Sequence, residues 1–116
     1  VEFIEAPQFS QLLSDYLEDF EYHKLQLFLA VNPEAGKVIP GTGGCRKLRW
    51  TDRRRAKGKR GGIRLIYYYL SSDLQIWLLT LYDKDEALDL SAREKRLLKE
   101  AIEAEAAQRS RRRGGH

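Results

Sequence analysis

The chain has 116 residues, 42% of them apolar and 33% charged, the size and balance of one domain around a single hydrophobic core, with no room for a second. No apolar run reaches the roughly 18 residues of a membrane span, and the acidic start Val1-Glu2-Phe3-Ile4-Glu5 is unlike a signal peptide, so the expected location is the cytoplasm. The formal charge of +4 is local: residues 46–64 hold ten Lys or Arg against Asp52 alone, leaving eleven bases and sixteen acids elsewhere, so the window is +9 and the rest −5.

In chain order, Phe3-Ile4 is a short extended start, and Pro7 suits the first turn of a helix, where its missing N–H is not needed. Phe9, Leu12, Leu13, Tyr16 and Leu17 recur at helical spacing. A second helix follows, capped by Asp19, with Tyr22, Leu25, Phe28 and Leu29 as its apolar stripe and Asn32-Pro33 as its end. The two form a hairpin whose outer charge is acidic, with Glu2, Glu5, Asp15, Glu18, Asp19, Glu21 and Glu34 against Lys24 and Lys37, so this half is expected to stay off nucleic acid.

Pro40-Gly41-Thr42-Gly43-Gly44 is loop, its glycines letting the chain turn tightly. Residues 45–50 read as a strand, Lys47 and Arg49 alternating with Leu48 and Trp50. Residues 53–62 form a long polar hairpin loop. Residues 63–70 give the strongest strand signal, and Ser71-Ser72-Asp73 turns them into a further strand over 74–82, so the three strands make an antiparallel meander. Ser91 to Glu94 fits a capping box for a last helix with Leu97, Leu98, Ala101 and Ile102 as its buried stripe. Arg109 to Arg113 reads as a frayed, solvated end, and Gly114-Gly115-His116 as an appended tail outside a single domain over 1–113. The class is α+β, with a helical hairpin on one side of a small antiparallel sheet and the C-terminal helix at its edge.

Several chemistries are excluded. The run Gly41-Thr42-Gly43-Gly44-Cys45-Arg46-Lys47 has no glycine before the lysine and no Ser or Thr after it, so it is not a nucleotide phosphate loop. Asp83, Asp85, Glu86 and Asp89 lack the spacing of a calcium loop, and His23 lies on a polar helix face. The single Cys45, with no Cys or His cluster near it, reads as a buried free thiol, and neither a metal nor a cofactor is expected.

Phosphoryl chemistry by cations remains. RNA carries its own nucleophile in the ribose 2′-hydroxyl, so an enzyme need only hold that oxygen in line, stabilise the phosphorane and protonate the leaving 5′ oxygen. Lys, Arg and Tyr can do this without a metal. The loop offers Lys57, Lys59 and Arg60, the next strand begins with Arg64, and the last strand ends in Tyr82-Asp83-Lys84. In a meander Arg64 and Lys84 meet beside the basic loop, while Arg46, Lys47, Arg49, Arg53, Arg54 and Arg55 supply further phosphate contacts.

The segments 41–50, 58–69 (Gly-Lys-Arg-Gly-Gly-Ile-Arg-Leu-Ile-Tyr-Tyr-Tyr) and 81–91 (Leu-Tyr-Asp-Lys-Asp-Glu-Ala-Leu-Asp-Leu-Ser) resemble the HigB branch of the RelE superfamily of bacterial toxins, and the order of elements agrees over nearly the whole chain. The resemblance implies a ribosome-dependent messenger-RNA endonuclease held silent by a helix-turn-helix antitoxin of the HigA kind, with operator DNA reached only through that antitoxin. It places the family's strand arginine on Arg64, its basic residue after the last strand on Lys84 and its loop lysines on Lys57 and Lys59. Some relatives carry a catalytic tyrosine just before the last helix, where this chain has Leu88, Asp89 and Leu90. The general base is therefore divided between Lys59 and Tyr82, with Lys57 third. The rival reading is a basic RNA- or DNA-binding protein that cleaves nothing; against a DNA reader, neither N-terminal helix is rich in the Arg, Asn or Gln of a recognition helix.

Overall fold

The structure is a computed structural model that describes residues 1–50, 62–83 and 90–114. Its elements are β1 (Glu2–Glu5), α1 (Pro7–Tyr16), α2 (Asp19–Val31), β2 (Lys37–Val38), β3 (Arg46–Trp50), β4 (Ile63–Leu70), β5 (Gln75–Asp83) and α3 (Ala92–Gly114), with a 3₁₀ turn over Ser71–Asp73. The expected α+β class holds, and the expected meander β3-β4-β5 is there. Two short strands enlarge it to a mixed five-stranded sheet of order β1-β5-β4-β3-β2. β1 pairs parallel to β5, Phe3 beside Ile76 and Ile4 beside Trp77. β2 pairs antiparallel to β3 through Lys37–Lys47 and Val38–Arg46.

Pro7 opens α1, as its fixed φ favours. The cap of α2 is Glu18 rather than Asp19: the Glu18 N–H donates to the Glu21 carboxylate at 3.0 Å, a reciprocal box that leaves Asp19 inside the first turn. Asn32 ends α2, its backbone N–H and its side-chain Nδ2 both donating to the Phe28 carbonyl, at 2.8 and 3.1 Å. The box at the start of α3 is as expected, with the Ser91 N–H on Glu94 at 3.0 Å and the Glu94 N–H on Ser91 Oγ at 3.1 Å.

The sheet has a core on each face. On one, α1 and α2 deliver Phe9, Leu17, Leu25 and Leu29 onto Leu48, Ile63, Leu65, Tyr67, Ile76, Leu78 and Leu81. On the other, α3 delivers Ile102, with Leu98 and Ala106 beside it, onto Cys45, Ile66, Trp77 and Tyr82. The last helix therefore lies across the second face and not at the sheet's edge, because Ile66 and Trp77 give that face apolar surface of its own to cover. Leu97 is 53% exposed and Ala101 is exposed, so the buried stripe of α3 is narrower than expected. Arg109 is no frayed end: it is half-buried, its guanidinium 5.4 Å from the centre of the Trp77 ring and 3.1 Å from Glu105.

Candidate functional site

The functional region follows from cross-strand register. Residues directly opposite in an antiparallel pair share a face, with Cβ atoms about 4.5–5.5 Å apart. Arg49 of β3 lies opposite Arg64 of β4, and Arg64 lies opposite Tyr82 of β5, so these three form one row on the face that carries α3. The neighbouring row contains Lys37, Lys47, Ile66 and Thr80. α3 covers part of this face through Ile66, Trp77 and Tyr82. Beyond it, at the β2-β3-β4 end, lies a concavity of about 570 Å³ lined by Ala35, Lys37, Lys47, Leu48, Arg49 and Arg64. Among the described lining residues four of six are cations and none is an acid, a lining suited to a polyanion.

Arg64 is the pivotal side chain. It is half-buried, and its Nη1 is shielded from solvent with no hydrogen-bond partner among the described residues. A buried guanidinium nitrogen without an acceptor is costly, and a bound phosphodiester oxygen would satisfy it, in bidentate geometry if a second guanidinium nitrogen also reaches it. Tyr82, directly opposite, is only 6% exposed and packs in the cluster of Cys45, Ile66, Trp77 and Ile102.

Arg46 takes another role. In register with Tyr67, it turns away from the basic row and donates to the carbonyls of Gly36 at 2.8 Å and Glu34 at 3.1 Å, with the Glu34 carboxylate 3.4 Å away. From the same face the Tyr67 hydroxyl donates to the Pro33 carbonyl at 2.8 Å and accepts the Gly36 N–H at 2.9 Å. Burial holds the Tyr67 phenol above its ordinary pKa, which keeps this donor protonated. These contacts tie residues 33–36 to the sheet and so set Ala35 and Lys37 at the rim of the pocket. Sequence reading assigned Lys37 to the acidic half; only the two-residue β2, which has no alternation to betray it, moves it to the basic one.

The loop at 40–44 braces this end of the sheet. Gly41, Gly43 and Gly44 have φ of +81°, +75° and +116°, which side chains seldom adopt. Thr42 is fully buried; its hydroxyl donates to the Ile39 carbonyl at 2.7 Å and accepts the Cys45 N–H at 3.0 Å. Cys45 is a buried free thiol as expected, and burial pushes its pKa from 9.0 to about 11. His23 is exposed, also as expected.

Lys84, Lys57, Lys59, Arg60, Arg53, Arg54 and Arg55, together with the hairpin loop and the stretch before Leu90, lie outside the described residues. Of the site set, the structure brings together Arg64, Tyr82, Lys47 and Arg49, and adds Lys37. Among the described residues β5 ends at Asp83, which pairs with Ile63, one residue before Arg64.

No protein-family model matches the sequence. Solved structures do match. A two-arginine mutant of the Escherichia coli toxin RelE in the free state superposes with a TM-score of 0.53 at 13% identity, over 74% of this chain and 85% of that one. The intact E. coli RelBE toxin–antitoxin complex gives 0.52 at 14%, over 73% of this chain and 98% of that one. The isolated E. coli RelE toxin gives 0.51 at 14%, over 89% and 96%. Among the described residues no helix is long and apolar enough to cross a membrane. With helices on both faces of a five-stranded mixed sheet and this likeness over most of its length, the chain has the RelE-like α+β fold.

Proposed function

We propose that this chain is the toxin of a type II toxin–antitoxin pair, a ribosome-dependent messenger-RNA endoribonuclease of the HigB branch. The observation that carries the reading is the cation-lined pocket whose lining includes Arg64, with its Nη1 buried and without a hydrogen-bond partner among the described residues, on a RelE-like fold. In the reaction the 2′-oxygen attacks the adjacent phosphorus and the 5′ oxygen leaves, giving a 2′,3′-cyclic phosphate with no metal in the step. Arg64 holds the non-bridging oxygens as charge develops on them. Lys84 protonates the leaving oxygen or holds the same phosphate, and the base is Lys59 or Tyr82, with Lys57 as the third candidate. Lys47, Arg49, Arg53, Arg54, Arg55 and Arg60 dock the RNA by counterion release.

A short cationic pocket of this kind is too small to hold a long RNA strand in line by itself, so the ribosome supplies the alignment. The partner is an antitoxin, and the acidic outer surface of α1 and α2 is the region offered to it, opposite in sign to the pocket. The test is single-turnover cleavage of messenger RNA on programmed ribosomes, with binding scored separately. Arg64→Ala and Lys84→Ala should each lower the cleavage rate on the order of a hundredfold or more. If both lose binding alone and keep the rate, the face is a docking surface of a non-catalytic RNA- or DNA-binding protein. Equal cutting of free and ribosome-bound message would remove the ribosome from the reading.

A further inference from the structure

The pocket has two cationic rows; in the proposed reaction Lys47 of the second serves only general RNA docking, and Lys37 has no role. The first is Arg49–Arg64; the second is Lys37–Lys47, displaced by two residues along β3. Two residues of antiparallel strand span about 6.8 Å, comparable to the step between successive phosphates of an extended single strand. Both rows face the same concavity. Single-stranded nucleic acid is bound by positive grooves that follow its backbone one phosphate after another.

Lys37 is exposed, but its backbone is firmly placed. It follows Gly36, where an added Cβ would lie 2.9 Å from Tyr67 Cε1, 3.0 Å from the Lys47 carbonyl oxygen and 3.1 Å from Arg46 Cβ, so the backbone is packed tightly against the sheet. The Tyr67 and Arg46 hydrogen bonds hold it there from the other face. The Ile39 N–H donates to the Cys45 carbonyl at 2.8 Å and holds the far end of β2. A two-residue strand would not otherwise stay in register beside two like charges, since Lys37 opposite Lys47 is a repulsive pair in the free protein. That repulsion is relieved by an anion placed between them.

We infer that the pocket takes two consecutive phosphates of one RNA strand, the reacting one on Arg49–Arg64 and its neighbour on Lys37–Lys47, with Lys37 a binding residue of the second position. This rests on the proposed toxin reading for which phosphate reacts, but the two-phosphate footprint has its own test. The probes are a 2′-O-methyl trinucleotide with two phosphates and the corresponding dinucleotide with one, both resistant to cleavage. Binding to the full chain is followed by two-dimensional NMR, which reads millimolar affinities. Lys37→Ala should weaken the trinucleotide roughly three- to tenfold and reduce the salt dependence of its binding by about 0.7 in log–log slope. The dinucleotide, which the arginine row can hold by itself, should change far less. Lys24→Ala, an exposed lysine outside the pocket, serves as the control for general charge.

Equal losses for both probes, or a Lys24→Ala loss matching that of Lys37→Ala, would reduce Lys37 to general charge and overturn the inference. No loss for either probe would do the same. Cleavage on ribosomes separates this from the proposed function: a wild-type chain that shows the phosphate-number dependence and cuts nothing sinks the toxin reading and leaves the footprint. A chain that cuts RNA without that dependence sinks the footprint alone.

Discussion

Arg64→Met should make the protein more stable and less active. The substitution keeps an unbranched stem of similar reach and removes the guanidinium. Two features of the free protein weigh against that group. Its Nη1 is out of solvent with no partner among the described residues, a deficit of about 1–3 kcal/mol for a buried polar group. It also stands directly across from Arg49, and like charges opposite one another in a sheet cost about 0.2–1 kcal/mol. Against this stands whatever the guanidinium gains from partial hydration of its other nitrogens, since the residue is only half-buried. The net expectation is a gain of about 1 kcal/mol, which for a domain of this size is a few degrees in Tm. Urea and thermal unfolding at low salt measure it, and added salt should narrow the difference because it screens the Arg49–Arg64 repulsion. Arg64→Lys keeps the charge and should show less of the gain. A loss of more than about 1 kcal/mol in Arg64→Met would mean that the side chain braces the sheet, and the case for Arg64 as a waiting phosphate ligand would collapse.

Three further outcomes can be checked. Tyr67→Phe strips the buried Gly36 N–H of its acceptor and should lower stability by about 1–3 kcal/mol in urea, while weakening RNA binding through Lys37; an unchanged midpoint would show that the loop is held by Arg46 alone. Cys45 is protonated in the fold up to a pKa of about 11 against an ordinary 9.0, so the unfolded chain releases the proton first. Its contribution is complete below pH 9 and is lost between about pH 9 and 11, at no more than roughly 1.4 kcal/mol per pH unit. Cys45→Ala should flatten that part of the stability profile, and an unaltered slope would refute the assignment. Thr42→Val leaves the Cys45 N–H without an acceptor and should lower stability by about 1–3 kcal/mol, read as a shift in the urea midpoint at constant m-value.

How much of this was legible in the sequence depended on whether a residue's role was local. The bounds of β4, the two-base alternation of β3, Pro7 at the first turn of α1 and the Ser91–Glu94 box all follow from near neighbours in the chain, and each is found where expected. β2 was invisible because two residues carry no periodicity; it exists through the Arg46 and Tyr67 side chains, which hold residues 33–36 from β3 and β4. The charge count placed Arg46 with the basic face, yet strand parity turns it to the other one, where Glu34 and two carbonyls receive it. Lys37 suffered the reverse error. In both cases composition gave the charge of a segment, and the sheet decided which face received it.

The same parity explains why Tyr82 can sit beside Arg64 at all. Along β5, Ile76 and Leu78 face α1 and α2, so strict alternation would send Tyr82 to that core and Leu81 to the basic row. The register breaks between Ile66 and Tyr67: Ile66 pairs with Thr80 and Tyr67 with Leu78, which leaves Leu79 as the extra residue of a β-bulge. Past it the faces exchange. Leu81 enters the core with Ile63 and Leu65, while Tyr82 turns to the face of Arg64 and Arg49. In the sequence this is concealed, because Leu78-Leu79-Thr80-Leu81 is almost uniformly apolar and any register satisfies it. One inserted residue thus lets a single strand serve two ends of one face: Trp77 lies under α3, and Tyr82 reaches the row that carries the cations. Deleting Leu79 joins Leu78 to Thr80 in plain alternation, so Leu81 should stay in the α1–α2 core and Tyr82 beside Arg64, and the variant should fold and keep its RNA binding, losing stability only through the packing of the half-buried Leu79. A deletion variant that fails to fold, or that loses RNA binding as completely as Arg64→Ala, would mean that Leu79 is not the extra residue and that the bulge does not set which residues face the pocket.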